Sequence, residues 1–290
     1  MIGQATRARR VKDRAFHGAL LFSVGVSILL LGVLLVDVVA DGVGRLNWDF
    51  ITSFTSIDSD KAGIQAALWG TIWLMGVCAL FVIPVGVATA IYLEEYADNT
   101  KWYNRLIDVN IQNLAAVPSI VYGILGLAFL VRGFFDFGAV VLAGGLTLGL
   151  LVLPVVIIAG REAIRAVPPS IREGSMALGA TQWQTIWKQV LPAAIPGIAT
   201  GVILALSRAI GETAPLILAG AVAIIAFNPD GLDSAFTALP IQIFEWISRP
   251  SNDVNDYRPL AAAGILLLMI LLVLMNSVAI WLRNRYEQKW

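Results

Sequence analysis

Apolar residues gather in this chain into long, nearly unbroken runs separated by short polar stretches, a pattern of helices that cross a membrane rather than helices laid on a soluble core. The first run, 18–39, holds 22 residues; at about 1.5 Å per residue it reaches roughly 33 Å, the thickness of the hydrocarbon layer. The basic stretch RARRVKDRAFH precedes it. The run is too long for a signal peptide and lacks a small-residue cleavage site, so it reads as the first span. A polar stretch, 39–61, carries Asp41, Arg45, Asp49, Asp58 and Asp60 and leads to a second run, 67–93, in which Pro84 predicts a kink. A charged linker with Glu94, Glu95, Asp98, Lys101, Arg105 and Asp108 precedes the third run, 111–131. The turn VRGFFDF, bracketed by Arg132 and Asp136, joins it to the fourth, 137–159, and the two are predicted to form a helical hairpin. A fifth apolar region opens after Pro192 and continues to 225, interrupted by Arg208, Glu212 and Pro215. It is too long for one straight helix and predicts either a kinked helix or a span followed by a short re-entrant or lateral piece. The sixth run, PLAAAGILLLMILLVLMNSVAIWL, ends at Arg283.

The fold class is therefore all-α: a polytopic membrane protein with six transmembrane helices. Four regions follow: an N-tail, 1–17; the first transmembrane helix with its outer loop, 18–66; a core of five helices, 67–282, that includes a long connection at 161–191; and a C-tail, 283–290. The loop at 228–258 reads as polar, with FEWIS predicting a short surface helix.

Composition sharpens this. Of the 290 residues, 58% are hydrophobic and 14% charged, which leaves little material for a soluble catalytic domain. The net charge of zero argues for neither nucleic-acid binding nor disorder. Its distribution is more informative. With six spans, the N-tail contributes five Lys or Arg to one side, the second loop two, the fourth loop four and the C-tail three; the other side has Arg45, Lys61, Arg132, Arg249 and Arg258, and Arg208 falls within a span. The basic side, with both termini, is predicted to be cytoplasmic. The single cysteine, Cys78, sits in an apolar run and reads as a packed thiol, and the single histidine, His17, reads as interfacial. No His/Cys metal site and no histidine-based triad can be assembled inside this chain.

The connection REAIRAVPPSIREGSMALGATQWQTIWKQVLPAAIPG carries helix signals of its own. Ser170 with Glu173 has the spacing of a capping box, Gly179 that of a helix stop, and Thr181 with Gln184 repeats the start. A helix over 171–178 would show Ile171, Met176 and Leu178 beside Arg172 and Glu173. Such a helix suits either a protein surface or the lipid interface.

A resemblance favours the protein surface. Glu173, Gly174, Ser175, Gly179, Leu191 and Pro192 follow the spacing of the EAA signature of the membrane subunits of ATP-binding-cassette importers, with Glu-Gly-Ser in place of Glu-Ala-Ala and Gln189 where a branched aliphatic is usual. REGSMALGAT, VLPAAIPG, SRAIGETAPLIL and AVPSIVYGILG together resemble the phosphate-specific importer permeases of the A type, over 65–282. The resemblance implies a type I importer permease fold, a second homologous permease subunit, a dimeric ATP-binding subunit and a periplasmic or lipoprotein phosphate-binding protein. It makes 170–179 the coupling helix, with Ser170, Arg172, Glu173, Gly174, Ser175 and Gly179 as ATPase-coupling residues. No G-x-x-x-x-G-K-[ST] occurs, so this chain has no Walker A loop. No cofactor is expected on it, ATP and Mg belong to the partner, and the chain is expected to be a transport subunit rather than an enzyme.

Arg208 in the fifth span needs a partner or water, because an isolated guanidinium in the bilayer costs about 2.5–3.5 kcal/mol on insertion scales. Glu212, four residues on, can pair with it on one helix face. Two readings remain open from the residues: a pair that only stabilises packing, or a guanidinium that offers donors to an oxyanion while Glu212 orients it. The resembled family's matching arginine and glutamate point to phosphate transport. Ser207 and Thr213 add hydroxyls that serve either the pathway or the preceding helix turn. Ser119 and Tyr122 are weaker pathway candidates, since a tyrosine near a span end also serves as an interface anchor. Gly123 and Gly126 suit close helix packing. The expectation is a permease moving inorganic phosphate inward by alternating access. Its rivals are an importer of another oxyanion or small solute and an ion-coupled transporter, for which Glu212 is the one strong proton-carrying candidate.

Overall fold

The structure, a computed structural model, describes residues 7–98, 100–222, 224–250 and 256–286. The first six residues and the last four, including Lys289 of the expected C-tail, lie outside the described residues, as does 251–255 of the outer loop. Every regular element among the described residues is helical.

Helix α1 (Arg7–Gly42) begins ahead of the first apolar run, so the described part of the expected N-tail is helical and continuous with the span. The polar stretch that follows folds into a 3-10 turn and a short helix, α2 (Trp48–Thr52), capped by Asn47, whose side chain accepts from Phe50 N at 2.8 Å. Helix α3 (Gln65–Ile91) contains Pro84 and runs into a π-turn at Tyr92–Tyr96.

The third predicted span is not a straight helix. Helix α4 (Trp102–Ala115) stops before Pro118, and α5 (Ser119–Leu125), extended by a π-turn to Val131, leaves at 110° to it. Pro118 disfavours helical backbone at Val117, which separates the two. The bent pair still follows the next helix, α6 (Val141–Arg165), from end to end. Asp108 meets Arg161, Ile111 packs with Ile157, Gly126 lies against Thr147, and Leu130 and Val131 pack with Ala143. The order is antiparallel throughout, so the pair makes the third crossing and the hairpin with α6 exists, with one arm broken.

Helix α6 is the spine. An ideal Cβ at Gly144 would stand 2.6 Å from the Phe236 ring and one at Gly145 2.6 Å from Val77. Small residues let backbones approach closely where lipid supplies no hydrophobic drive between helices. The α6 N-terminus has no side-chain cap; instead Val141 N donates to Ser234 O (3.0 Å) and Leu142 N to Leu232 O (2.9 Å), carbonyls of the later loop.

Beyond α6, helix α7 (Pro169–Ala177) turns back at Gly179 into α8 (Gln182–Thr185). A π-turn at Ile186–Val190 carries that helix into α9 (Leu191–Ile210). The fifth apolar region thus resolves as a span followed by a short separate piece, α10 (Ala214–Leu218).

The outer loop departs from the expectation of a polar connection with a surface helix. FEWIS belongs to α11 (Leu239–Ser248), which buries Leu239, Pro240, Ile241, Gln242, Ile243 and Trp246. Its two faces differ, with Phe244 and Ile247 exposed, and a five-residue motif carries too little periodicity to reveal the buried one. Leu239 N donates to Thr71 Oγ1 at 2.8 Å, fixing the helix start on α3. The last helix, α12 (Arg258–Tyr286), packs on α1, α9 and α11.

Candidate functional site

The helix registers set the depth of the polar residues. Gly197 lies against Ala163 and Gly201 against Ala159, one constant antiparallel register of α9 on α6. Carried forward, it sets Arg208 at about the level of Val152, the middle of Val141–Arg165. Gly126 against Thr147 likewise places Tyr122 near Leu151. On the other flank, Ser207 meets Asn276 and Thr200 meets Arg283 in one register of α12 on α9. Arg208, Ser207, Asn276 and Tyr122 therefore form a polar belt at mid-depth.

Arg208 Nε lies 3.3 Å from Glu212 Oε1, the pair expected from the spacing. The geometry differs in one respect. Helix α9 ends at Ile210, Gly211 is its C-cap, and Glu212 stands on the non-helical link to α10. The Arg208 side chain remains 44% exposed while that of Glu212 is 19% exposed. The carboxylate covers one edge of the guanidinium and leaves donors open.

Ser207 Oγ lies 2.7 Å from Ile203 O and 2.6 Å from the Asn276 side-chain amide. With a single proton, the hydroxyl serves both only if the amide turns its N–H toward it. Tyr122 donates to Leu114 O at 2.8 Å across the break in the third crossing. Leu114 O also accepts from Val117 N at 3.1 Å, so the tyrosine adds a further bond to that carbonyl and its hydroxyl is engaged within the chain. Tyr122 packs in one cluster with Ala205, Ala209, Ile210 and Leu216. Gly123 lies against Pro215, where a Cβ would come within 2.7 Å of its Cα. Thr213 precedes α10, and its carbonyl accepts from Leu216 and Ile217 at 3.1 Å, but its side chain makes no capping bond. Ser119 is half-buried at the first turn of α5.

The α7–α8 hairpin forms the second constellation. Ser170 is not the N-cap: Pro168 holds that position, Pro169 is the first helical residue, and the Ser170–Glu173 capping box does not form. Consecutive prolines fix φ near the helical value and start the helix earlier. The second box does form, with Thr181 Oγ1 accepting from Gln184 N and Gln184 Oε1 from Thr181 N. Gly179, at φ +88°, ends α7; Gly179 N donates to Met176 O and Ala180 N to Ser175 O. Ser175 Oγ and Thr185 Oγ1 share a 2.9 Å hydrogen bond that ties the two arms. Glu173 and Gly174 are exposed, and Leu178 is 91% exposed.

Arg172 does not join that outer surface. It turns inward, donating from Nε (3.1 Å) and Nη2 (2.7 Å) to Glu95 Oε1, from Nη1 to Val167 O (2.7 Å) and from Nη2 to Ile164 O (2.9 Å). Beside it, Arg165 grips both oxygens of Glu94 at 2.9 Å, and Arg161 pairs with Asp108 while its Nε stands 3.5 Å from Glu94 Oε2. Reading the sequence alone missed this network and Asn276. A lone amide in the apolar run of the sixth span is the available signal for Asn276; the acids and arginines, 71 and 77 positions apart, carry no sequence signal for their pairing.

A family model described as binding-protein-dependent transport system inner membrane component matches residues 83–289. The chain is 35% identical over 284 residues to the phosphate transport system permease protein PstA 1 of Mycobacterium tuberculosis H37Rv, covering 96% of this chain and 89% of the relative. It is 30% identical over 290 residues to the probable ABC transporter permease protein YqgI of Bacillus subtilis, covering 97% and 98%. Among solved structures, the bacterial alginate ABC transporter in complex with an alginate pentasaccharide-bound periplasmic protein contains a chain similar in fold, with TM-score 0.70, 16% identity and 99% of each chain covered. The MetNI methionine ABC transporter, inward facing, gives TM-score 0.62 at 18% identity, covering 77% of this chain and 95% of that one.

Proposed function

The chain belongs to the family of binding-protein-dependent transport system inner membrane components, and from that premise we propose that this multi-pass permease subunit of an ABC importer carries inorganic phosphate inward. The observation that carries the reading is the open guanidinium of Arg208 at mid-depth. A cation there is stable only against water, a partner or an anion. Glu212 supplies one carboxylate and leaves planar N–H donors unused, the geometry in which arginine binds oxyanions in bidentate fashion. The choice of phosphate over another oxyanion draws on relatives named as phosphate transport permeases. In the same reading, Ser207, Thr213, Ser119 and Tyr122 flank the pathway, with Tyr122 positioned by its bond to Leu114.

The α7 end is the cytoplasmic one, with both termini on that side, as the excess of Lys and Arg there favours. Ser170, Glu173, Gly174, Met176 and Leu178, all exposed, form the surface that a dimeric ATPase, holding ATP and Mg, would grip, while Gly179 ends the helix and Ser175 ties it to α8. A second permease subunit completes the pathway, and a phosphate-binding protein delivers substrate at the opposite face.

The test is labelled-phosphate uptake by the assembled complex. Arg208→Gln is expected to abolish uptake while the ATPase still co-purifies. Normal uptake by this variant would reduce the Arg208–Glu212 pair to a packing device. Competition by excess sulfate or molybdate against labelled phosphate tests the substrate, and equal competition by either would overturn the assignment to phosphate.

A further inference from the structure

The charged residues at the α7 end are arranged for a task that neither the polar belt nor the exposed hairpin surface performs. Glu94 and Glu95 are neighbours on the π-turn that ends α3, yet they engage different elements. Glu94 is held by Arg161 and Arg165 of α6, and Glu95 by Arg172 of α7. Gln182, at the start of α8, adds a donor to the Glu95 carbonyl at 2.7 Å. Both arms of the hairpin therefore grasp one residue of the α3 terminus. The side chain of Glu95 is 9% exposed and that of Arg161 10% exposed. Removing one partner from a shielded pair leaves an uncompensated charge, so these contacts hold geometry more firmly than surface pairs do.

The connection is also economical in chain length. Arg172 reaches Glu95 across 77 sequence positions, and its remaining N–H groups bind the carbonyls of Ile164 and Val167 at the end of α6. One side chain thus joins the hairpin to α3 and α6 at once. Both helices continue to mid-depth, where α6 packs on α9 and Ala205 and Ala209 flank the Arg208 turn.

We propose that Glu95 is the positioning residue through which the α7–α8 hairpin drives α3, with Arg172 as its counterpart and Glu94 anchoring the same turn to α6. Movement of the hairpin pulls on Glu95 through two side chains and carries the end of α3 with it, together with the end of α6 to which Glu94 ties the same turn. The inference rests on the reading of the hairpin as the ATPase contact and names the route by which that contact reaches the pathway.

The test uses the complete complex in proteoliposomes, with ATP hydrolysis and phosphate uptake measured together. Glu95→Gln retains shape and acceptor oxygen and loses charge. This variant and Arg172→Gln are each expected to assemble, to hydrolyse ATP at the basal rate, and to lower phosphate carried per ATP at least about fivefold, the low end of coupling between distant sites. The double variant should be no worse than either single, since both remove one connection. Arg172→Lys, which keeps the charge and loses the fork, should recover part of the loss. Additive defects, or singles with unchanged phosphate per ATP, would overturn the inference. If Arg172→Gln does not assemble, Glu95→Gln alone decides it by the same ratio. A wild-type complex whose hydrolysis is not stimulated by phosphate-loaded binding protein would sink the hairpin reading and this inference with it, whereas coupled variants sink the inference alone.

Discussion

At the scale of single residues, the mid-depth belt separates groups already satisfied from those still open. Tyr122 spends its proton on Leu114 O, so Tyr122→Phe is expected to lower stability by about 1 kcal/mol with uptake retained, measured as thermal unfolding in detergent beside transport. Ser207→Ala removes a hydroxyl with two neighbours. Polar contacts between membrane helices average about 0.6 kcal/mol, so a large loss of uptake by this variant without matching loss of stability would place Ser207 in the pathway. The Arg208–Glu212 pair was legible because i,i+4 spacing alone brings the two together. The ending of α9 between them was not, since Gly211 is tolerated in a membrane helix as readily as at its end.

At the scale of elements, local chemistry explains particular starts and stops and fails where two signals compete. Thr181 and Gln184 cap as their spacing predicts. Ser170 and Glu173 have the same spacing and do not, because Pro168 and Pro169 had already begun the helix. The break at Pro118 had a visible cause, but the apolar run passes over it without interruption, and hydropathy does not register backbone direction. Gly179, at φ +88° with open space around it, provides a clean test of the hairpin. Gly179→Ala meets no neighbour, so its cost is backbone strain alone, about 1–2 kcal/mol. Thermal unfolding should shift slightly while co-purification with the ATPase falls. Leu178→Asp should leave unfolding unchanged, because its side chain is almost fully exposed, and should still weaken that co-purification.

For the molecule as a whole, the number and order of crossings could be read from the sequence because apolar runs of membrane length are hard to place anywhere else. The pairing of distant charges could not, since Glu94 and Arg165 are 71 positions apart and only the packing of α3 on α6 brings them together. Orientation can be measured with the native sequence as background. Cys78 is fully buried, so Leu178→Cys should react with a membrane-impermeant maleimide only from the cytoplasmic face and Phe134→Cys only from the other. The reverse pattern would invert the topology.

The π-turn at Tyr92–Tyr96 has a consequence for descent as well as for motion. A π-turn is an α-helix with one residue inserted, and such insertions gather at functional sites. Without the extra residue, everything beyond it would swing by about 100°, and Glu94 and Glu95 could not both keep their arginines. The length of this turn is thus a constraint as firm as the identity of its side chains. A substitution in this turn alters one contact at a time, but loss or gain of one residue there would disconnect the hairpin in a single step.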